Sequence, residues 1–357
     1  MSVFDSLTNH EQVVFCNDPN SGLKSIIAIH NTQLGPALGG CRMYDYASEA
    51  AAITDALRLS KGMTYKAAVA NINLGGGKSV IIGDPKKIAS EGLFRSFGRF
   101  VNSLGGRYIT AEDVGTCVDH MEWIRYETKY VVGLSPYIGG LGDPSPVTAH
   151  GTFVGIKAAV KKVKNSDSLA GIKIAVEGIG HVGYYLCKEL HASGAKLYVS
   201  DIDEHATKSA VNEFGATVIK CNEIYDLDVD VYSPCALGAT LNDRTIPKLK
   251  CSIVAGAANN QLEKETIHAE ALKKRGILYA PDFVINAGGL INVYTEVGGY
   301  SQERAWDKTE NIYHTLLKIF ALSDRENITT AEAANRVAEE RIKSVSLTRN
   351  IYSTHRE

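Results

Sequence analysis

Two lysines, Lys66 and Lys78, lie twelve residues apart near the start of the chain, and such a pair can act on amines and carboxylates. Lys78 follows the three glycines Gly75–Gly77, so we predict a tight glycine turn that holds this amine rigidly before a strand at 79–82. A P-loop would need a glycine six residues before its lysine, and Ile72 stands there instead. A rigid amine facing a small substrate is therefore preferred to a phosphate site. A solvated lysine in a tight turn is the alternative.

A second glycine motif has the spacing G-x-G-x-x-G, with its glycines at Gly178, Gly180 and Gly183. It follows a predicted strand at 173–177, opens a predicted helix and precedes a strand that ends on Asp201. This arrangement is typical of a dinucleotide site, in which the acidic residue binds the adenosine ribose. A carboxylate at Asp201 would repel a 2′-phosphate, so NAD is predicted rather than NADP. A purely structural glycine turn is the alternative.

A nicotinamide cofactor combined with two lysines indicates a dehydrogenase. Nicotinamide chemistry is hydride transfer, so the substrate carbon must bear an alcohol, an amine or an aldehyde. One lysine can stay charged and bind a substrate carboxylate. The other, desolvated and near a like charge, would have a lowered pKa and could serve as a base.

Composition excludes several function classes. The 357 residues are 45% hydrophobic and 22% charged, as in an ordinary globular protein, and this length favours two domains. The net charge of −2 gives no reason to expect nucleic acid or an anionic membrane as a partner. No apolar run approaches the roughly 18 to 20 residues that span a bilayer, and the N-terminus lacks the features of a signal peptide. A cytoplasmic location is expected.

The seven cysteines are scattered, with no C-x-x-C and no histidine at metal-binding spacing. They are predicted to be reduced packing residues, and no metal site is expected. Cys235 could be a nucleophile, but no base lies near it in the sequence, so a structural role is predicted. His181, within the second glycine motif, is interpreted as a solvent-facing residue.

Strand and helix patterns alternate along the chain and predict an α/β protein. The first part shows a hairpin-like pair of strands at 11–15 and 25–30, a helix from Ser48 that ends near Lys61-Gly62, and a helix from Ser90. Later strands are predicted at 173–177, 196–200, 217–219, 229–232, 252–255 and 277–279. Helices are predicted at 147–164, at 184–193, around 306–320 and from Thr329 onward, the last with the capping box Thr329-x-x-Glu332.

Glycine and proline occupy seven of the fourteen positions from Gly133 to Pro146, which predicts a hinge or domain boundary. We therefore predict an N-terminal α/β substrate-binding, catalytic and oligomerisation domain at residues 1–138. A Rossmann NAD-binding domain is predicted at 139–324, with a catalytic cleft between the two. The C-terminal helix at 325–357 is expected to return to the first domain.

Several segments match one known family together. They are H-E-Q-V-V-F-C at 10–16, L-G-P-A-L-G-G at 34–40, G-M-T-Y-K at 62–66, G-G-G-K at 75–78, T-A-E-D-V-G-T at 110–116, P-S-P-V-T-A at 144–149, P-C-A-L-G at 234–238, A-N-N-Q at 258–261 and N-A-G-G at 286–289. Over nearly its whole length the chain resembles the amino-acid dehydrogenases of the glutamate/leucine/phenylalanine/valine family, and most of all their leucine-type members. The resemblance implies reversible oxidative deamination of an L-amino acid to its 2-oxo acid and ammonia.

The resemblance also implies residue roles. Lys78 would be the general base, Lys66 would bind the substrate carboxylate, and Asp113 would assist proton transfer at the amine. From the residues alone, Asp113 is equally a turn or helix-capping acid. Further roles carried over are approach to the substrate for Gly39 and Gly40, contact with the carboxylate side of the substrate for Asn286, and proximity to the nicotinamide for Thr148 and Asn259.

The side-chain pocket expected from the resemblance is apolar, which favours leucine and other branched-chain amino acids over glutamate. Its expected walls are Leu38, Met63, Ala111, Val114, Leu290 and Val293. Ala111 follows the leucine-type pattern, whereas Leu290 matches aromatic-type relatives and Tyr294 matches the tryptophan dehydrogenases. A phenylalanine or tryptophan dehydrogenase is therefore the alternative, and a catalytically silent NAD-binding sensor a remote one. A homo-oligomer is expected, an octamer by resemblance, with a dimer possible.

Overall fold

The computed structural model describes residues 7, 9–299 and 301–347, apart from the side chain of Gln302. The described chain divides into two compact units. Unit 1 comprises residues up to Gly142, Val293–Tyr300 and the chain from Ala338 onward, and unit 2 comprises Asp143–Asn292 and Ser301–Val337. Both units are α/β, as the sequence predicts.

Unit 1 is built on a five-stranded sheet. Its strands are β1 (Gln12–Asp18), β2 (Leu23–Asn31), β3 (Ala37–Tyr44), β4 (Gly75–Ile82) and β5 (Tyr108–Glu112), in the order β1-β2-β4-β3-β5. The first two strands form the predicted antiparallel hairpin, and β3 is parallel to both β4 and β5. Helices α1 (Glu49–Val69), α2 (Pro85–Ile88), α3 (Glu91–Ser103) and α4 (Val118–Arg125) accompany the sheet. The middle position of β4 explains why its side chains are buried.

Alternate residues of each strand face opposite sides of this sheet. One side forms the larger core, in which Phe94, Phe97 and Val101 of α3 pack with Tyr108 and strand residues, and all of them are fully buried. Ser90 caps α3 as predicted, since its side chain accepts a hydrogen bond from the amide of Leu93. On the other side, Ala52, Ala56 and Leu57 of α1 pack against Ile26, Ala28 and Val80.

The predicted end of α1 near Gly62 is wrong, because the helix continues for seven residues to Val69. An exposed glycine inside a helix costs only about 1 kcal/mol relative to alanine. The buried face continues from Ser60, before this glycine, to Thr64 and Ala67 after it, and this packing holds the helix together. The chain leaves the helix at Asn71, whose φ of 54° is left-handed.

The predicted glycine turn before Lys78 is also wrong, because Gly75–Gly77 are residues of β4 and have no left-handed φ. Glycine is required there for close packing. A Cβ on Gly75 would overlap the carbonyl of Asn31, one on Gly76 would overlap Thr64, and one on Gly77 would lie 2.7 Å from the ring of Tyr108. Atoms of the protein itself therefore occupy the space beside these glycines.

Unit 2 contains a six-stranded parallel sheet. Its strands are β6 (Lys173–Glu177), β7 (Lys196–Ser200), β8 (Thr217–Val218), β9 (Val231–Pro234), β10 (Ile253–Val254) and β11 (Leu278–Tyr279), in the order β11-β10-β9-β6-β7-β8. The order is that of two mononucleotide-binding halves joined at β6, the Rossmann arrangement that was predicted. The accompanying helices are α5 (Ser145–Lys164), α6 (His181–Ala192), α7 (Glu204–Phe214), α8 (Glu265–Lys274), α9 (Asp282–Ile285), α10 (Gly288–Val297), α11 (Gln302–Glu326) and α12 (Thr330–Ser346).

The unit boundaries differ in detail from the expected domain limits. The first crossing lies at 142/143, four residues beyond the predicted 138/139. The segment Val293–Tyr300, within which α10 ends, belongs to unit 1. Helix α12 was expected to return to the first domain as a whole, but only its part from Ala338 onward belongs to unit 1. Hydrophobic periodicity finds a helix but does not show where along it the packing partner changes. Thr329 caps α12 as predicted, by accepting from the amide of Glu332 at 3.1 Å. Within the described residues, no helix is long and apolar enough to cross a bilayer.

Candidate active site

Lys78 lies in the central strand of unit 1, with only 4% of its surface exposed. The β3–β4 register pairs Leu38 with Gly76 and Cys41 with Ser79, so Gly40 lies beside Lys78. Gly40 in turn pairs with Ala111 of β5. Lys78, Gly40 and Ala111 therefore form one row across three strands, and Asp113 occupies the space that a side chain at Gly40 would need.

The environment of Lys78 favours its neutral form. Burial, followed by the charge of the Arg42 guanidinium, lowers the pKa of Lys78 from 10.5 to about 7, and Lys66 acts in the same direction. The carboxylate of Asp113 contacts Nζ of Lys78 and favours the ammonium. An amine with these neighbours can take and return a proton near neutral pH, as a general base requires.

Asp113 begins the turn that follows β5, and its two oxygens have different partners. Oδ2 contacts Lys78, while Oδ1 accepts from the amide of Val114 at 2.6 Å. The hydroxyl of Thr116 accepts from the Asp113 amide at 2.9 Å and donates to the carbonyl of Cys41 at 3.0 Å, which ties the turn to β3. The structure thus brings Lys78 and Asp113 together, and the helix-capping alternative for Asp113 is not observed.

The second lysine comes from α1. Lys66 and Met63 are both half-buried on this helix. The helix approaches the sheet closely at Gly76, where a Cβ would overlap both the side chain and the amide of Thr64. The absence of a side chain at Gly76 therefore sets the position of Lys66 relative to β4, and Lys66 is close enough to Lys78 to lower its pKa.

The expected pocket walls fall into three groups. Leu38 and Ala111 are buried in the unit 1 sheet at 2% and 7% exposure. Val114 is 59% exposed, which makes it a poor wall in this conformation. Leu290 is buried in the part of α10 that belongs to unit 2, and Val293 is half-buried in the part that belongs to unit 1.

Two glycines of β3 are in close contact with the protein. A Cβ on Gly39 would overlap the carbonyl of Gly77 in the neighbouring strand. A Cβ on Gly40 would lie 2.7 Å from the Cβ of Asp113 and 2.8 Å from its Oδ2. Glycine at these positions is therefore needed for strand packing and for the placement of Asp113.

In unit 2, the three motif glycines have distinct geometries. Gly178 has a φ of +95°, and a Cβ on it would lie 2.7 Å from Ala236. A Cβ on Gly183 would overlap the carbonyl of Gly178, so the strand and α6 pack closely here. Among the residues that the structure describes, nothing lies within 4 Å of a Cβ on Gly180, and no side chain caps the amides of the first turn of α6. An open approach to uncapped helix amides suits a pyrophosphate.

Asp201 directly follows β7 and lies beside the glycine loop. Its Oδ2 accepts from the amide of Ile179 at 2.6 Å, and its Oδ1 accepts from the amide of Asp203 at 2.8 Å. Each carboxylate oxygen retains a second lone pair, which a ribose hydroxyl can use. His181, the first residue of α6, is exposed, as the sequence predicts.

The remaining cofactor and substrate candidates cluster in unit 2. The amide nitrogen of Asn286 donates to the carbonyl of Ala257 at 3.0 Å and to Oδ1 of Asn259 at 2.8 Å. The Oδ1 of Asn286 is buried and has no partner among the described residues. Because the Ala257 carbonyl fixes the orientation of this amide, Asn286 presents an acceptor, and an acceptor cannot bind a carboxylate. Thr148 lies near Gly289, where a Cβ would be 2.9 Å from the threonine oxygen.

The sequence analysis missed Arg42, which interacts with Asp113. Its Nε donates to Oδ1 of Asp113 at 3.2 Å, and its Nη1 donates to Oδ2 of Asp55 at 2.9 Å. A signal was present, because Arg42 is two residues from Gly40 on the same strand and therefore shares its face. Asp55 gave no comparable signal, since it is one of several acids on a helix.

Two further groups could in principle carry chemistry, the thiol of Cys235 considered from the sequence and a trio of side chains found in the structure. Burial raises the pKa of the Cys235 thiol, which fits a structural cysteine. Within the described residues, one trio has ligand atoms close enough for a metal, Asp243, Glu263 and His268. The Nδ1 of His268 accepts from the amide of Lys264 at 2.9 Å, so its proton resides on Nε2, which faces Asp243 at 3.3 Å. A protonated Nε2 cannot bind a metal.

Two models of a known protein family match most of the chain. A family model described as the Glu/Leu/Phe/Val dehydrogenase dimerisation domain matches residues 10–130. A second model, described as glutamate/leucine/phenylalanine/valine dehydrogenase, matches residues 199–349. The chain belongs to the Glu/Leu/Phe/Val dehydrogenase family. It is therefore an oxidoreductase, an amino-acid dehydrogenase that performs oxidative deamination.

The relatives of this amino-acid dehydrogenase are named for three different substrates. The chain is 57% identical to a leucine dehydrogenase of Bacillus cereus over 99% of its own length and 96% of that protein. It is 48% identical to a phenylalanine dehydrogenase of Lysinibacillus sphaericus, over 99% and 94% of the two chains. The crystal structure of L-tryptophan dehydrogenase from Nostoc punctiforme superposes with a TM-score of 0.87 at 51% identity, covering 96% of this chain and 99% of that one. Sequence similarity therefore establishes the family, and the side-chain specificity needs a separate argument.

Proposed function

We propose that this amino-acid dehydrogenase oxidises L-leucine and other branched-chain amino acids with NAD, using Lys78 as the general base. The observation that carries the proposal is the contact between the buried, low-pKa amine of Lys78 and the Asp113 carboxylate, which lies against Gly40. Leucine is favoured because Leu38 and Ala111 are apolar and buried on the same face of the sheet. The leucine dehydrogenase of Bacillus cereus, at 57% identity, supports the same substrate class.

Each residue has a defined task in this proposal. The ammonium of Lys66 binds the substrate carboxylate. NAD, held by the Gly178–Gly183 loop and Asp201, would supply the hydride acceptor, and an iminium results when the substrate, with its nitrogen in the neutral amine form, loses the hydride from Cα. Lys78 then removes a proton from the water that adds to this iminium. Asp113 moves protons at the nitrogen as the carbinolamine collapses to the 2-oxo acid and ammonia.

Four features of unit 2 support NAD as the cofactor. They are the left-handed turn at Gly178, the open approach at Gly180, the uncapped amides of α6 and the carboxylate of Asp201. A negative charge at Asp201 would repel the 2′-phosphate of NADP. The buried acceptor of Asn286 suits a hydrogen-bond donor such as a carboxamide or an ammonium, so we place Asn286 with Thr148 and Asn259 near the nicotinamide and the substrate amine.

The decisive experiment follows NADH formation from L-leucine and NAD in the wild type and in Lys78→Met. We expect kcat to fall about 10²- to 10⁴-fold, the usual contribution of a general base. In the wild type, kcat/KM for deamination should fall as the pH decreases through about 7, because the ammonium of Lys78 cannot accept a proton. Lys86→Met, which removes an exposed lysine of α2, is the matched control and should leave turnover unchanged.

Near-normal turnover in Lys78→Met would exclude this base. A wild-type protein that binds NAD but oxidises none of leucine, phenylalanine and tryptophan would instead be the silent sensor.

A second candidate function is the oxidation of aromatic amino acids. It is favoured by the 51% identity to the tryptophan dehydrogenase of known structure and by the leucine side chain at position 290. Ala111→Gly tests which preference the pocket has, because it removes one methyl group beside Gly40. If the pocket is built for leucine, the ratio of kcat/KM for phenylalanine to that for leucine should rise about 10- to 100-fold. A wild-type enzyme that already prefers phenylalanine or tryptophan would establish the aromatic alternative.

We also propose that the protein acts as a homo-oligomer, an octamer or a dimer. The match of residues 10–130 to a dimerisation-domain model supports self-association. Light scattering coupled to size-exclusion chromatography measures the mass directly. A single species with the mass of one chain would contradict this proposal.

A further inference from the structure

Arg42 connects the proposed catalytic pair to helix α1. Its side chain is 23% exposed and donates in two directions, from Nε to Oδ1 of Asp113 at 3.2 Å and from Nη1 to Oδ2 of Asp55 at 2.9 Å. The carboxylates it joins are 17% and 14% exposed. A planar guanidinium with fixed donor directions can hold two carboxylates in a set geometry, which a lysine ammonium cannot do.

Asp55 is held firmly enough to serve as an anchor. Its Oδ2 also accepts from the hydroxyl of Tyr46 at 2.8 Å, and its Oδ1 accepts from Nη2 of Arg58 at 2.8 Å. The Asp55 carboxylate on α1 thus accepts hydrogen bonds from three side chains, those of Arg42, Tyr46 and Arg58. The position of Arg42 is therefore determined from the helix side as well as from its own strand.

At the other end, Arg42 determines how Asp113 is oriented. Oδ1 of Asp113 is occupied by Arg42 and by the amide of Val114, so Oδ2 is the oxygen that faces Nζ of Lys78. Rotation of the carboxylate would break both contacts of Oδ1. We infer that Arg42, anchored by Asp55, is a positioning residue for the deamination, which fixes Asp113 so that one oxygen faces the Lys78 amine. The inference rests on the proposed function of Lys78 and Asp113.

The charges around Lys78 give this network a measurable signature. The charged and titratable groups that face Lys78 are Asp113 from the turn after β5, Arg42 and Cys41 from β3, and Asp55 and Lys66 from α1. The positive charge of Arg42 lowers the pKa of Lys78, and the negative charge of Asp55 raises it. Neutralising the two residues should therefore move this pKa in opposite directions, which a simple loss of packing would not do.

The test compares Arg42→Gln, Asp55→Asn and Arg42→Lys with the wild type. The pKa of Lys78 is measured by NMR on protein with carbon-13 at lysine Cε, with the Lys78 signal assigned by its loss in Lys78→Met. We expect the pKa to rise by about 1 in Arg42→Gln, to fall in Asp55→Asn and to stay near the wild-type value in Arg42→Lys. This measurement needs no turnover, so it distinguishes a failure of the Arg42–Asp55 network from a failure of the proposed function.

Steady-state kinetics distinguish the orienting role of Arg42 from the effect of its charge on Lys78. Arg42→Gln and Arg42→Lys should each lower kcat roughly 10- to 100-fold with little change in KM for the amino acid, because Arg42 orients Asp113 without binding substrate. Arg99→Gln, which removes an exposed arginine of α3 that pairs with Glu127 and contacts neither Asp55 nor Asp113, is the control and should retain wild-type kcat. The inference is overturned if the pKa of Lys78 is unmoved or moves in the same direction in Arg42→Gln and Asp55→Asn. It is also overturned if Arg42→Lys retains full kcat, or if KM rises while kcat is unchanged.

Discussion

Gly40 lies between Lys78 and Ala111 in the sheet, and a Cβ at this position would be 2.7 Å from the Cβ of Asp113 and 2.8 Å from its Oδ2. Real Cβ atoms do not approach other atoms this closely, so even the smallest side chain would displace the Asp113 carboxylate. The backbone of Gly40 is ordinary strand, and its φ is not left-handed. What the site needs from this residue is therefore space, not conformational freedom.

Gly40→Ala should consequently impair activity much more than folding. We expect kcat for deamination to fall by about 10²-fold, since a displacement of a catalytic group by about 1 Å has an effect of this size. The change is measured by steady-state kinetics, with circular dichroism to verify the fold.

Gly62→Ala is the matched control, because nothing among the described residues lies within 4 Å of a Cβ there and the residue is inside α1. It should leave kcat unchanged and stabilise the protein by about 1 kcal/mol. Wild-type kcat in Gly40→Ala would contradict the contact with Asp113.

At the scale of elements, the connection between α1 and β4 determines how Lys66 and Lys78 are placed. Arg341 of α12 holds this connection from outside. Its Nη1 donates to the carbonyl of Ile72 at 2.9 Å and to that of Ala68 at 3.4 Å, and its Nη2 donates to Oδ1 of Asn73 at 2.9 Å. A cation at the C-terminal end of a helix also interacts favourably with the helix dipole.

Arg341→Ala should therefore affect both stability and catalysis. It leaves three acceptors without their charged donor, and we expect a loss of about 1.5 to 3 kcal/mol in the free energy of unfolding. KM for the amino acid should rise and kcat should fall together, because the two lysines lose their common support. Urea unfolding and steady-state kinetics measure the two effects. Arg336→Ala, which removes two surface ion pairs, with Glu326 and Glu332, should cost much less stability and leave the kinetics unchanged. Equal effects of the two substitutions would contradict a specific role for Arg341.

The connection between α1 and β4 also shows which features of the fold can be predicted from the sequence and which cannot. The hairpin, the parallel sheet of unit 2 and the glycine loop were predictable, because alternation, turn residues and motif spacing are local properties. The end of α1 was not, because the buried contacts of Thr64 with β4 extend the helix past Gly62. The assignment of Gly75–Gly77 to a strand also depends on distant partners, namely Asn31, Thr64 and Tyr108.

The sequence indicated the candidate catalytic pair but not the residues that surround it. The family resemblance identified Lys78 and Asp113, and the structure adds that they are in contact. Arg42 could have been found from its spacing to Gly40, but its pairing with Asp55 could not, because a strand and a helix bring the two together only after folding. For Asn286, the hydrogen bond to the carbonyl of Ala257 shows an acceptor where the resemblance implies contact with a carboxylate.

At the scale of the whole molecule, each unit is organised by its own sheet and core, and polar contacts inside each unit join distant segments. In unit 1, the carboxylate of Glu296 accepts from the amides of Gly133 at 3.1 Å and Leu141 at 3.4 Å, so α10 is tied to the glycine-rich segment before the first crossing. Burial raises the pKa of Glu296. In unit 2, His150 of α5 lies between Glu189 of α6 at 2.8 Å and Glu310 of α11 at 2.7 Å.

His150 gives unit 2 a stability that depends on pH. Burial opposes the charged imidazolium, but the two carboxylates outweigh it, so the pKa of His150 is raised above its ordinary 6.5. A group whose pKa is raised on folding contributes its full stabilisation below about pH 6.5 and loses it as the pH rises through the folded pKa. His150→Gln should therefore lower the free energy of unfolding by about 1 to 3 kcal/mol near pH 6, and by less near pH 9. Thermal unfolding followed by circular dichroism at both pH values measures the difference.

The control is His191→Gln, at an exposed position of α6, which should leave the free energy of unfolding unchanged at both pH values. A destabilisation in His150→Gln that is equal at both pH values would show that the imidazole acts by packing against Trp306 and not by its charge.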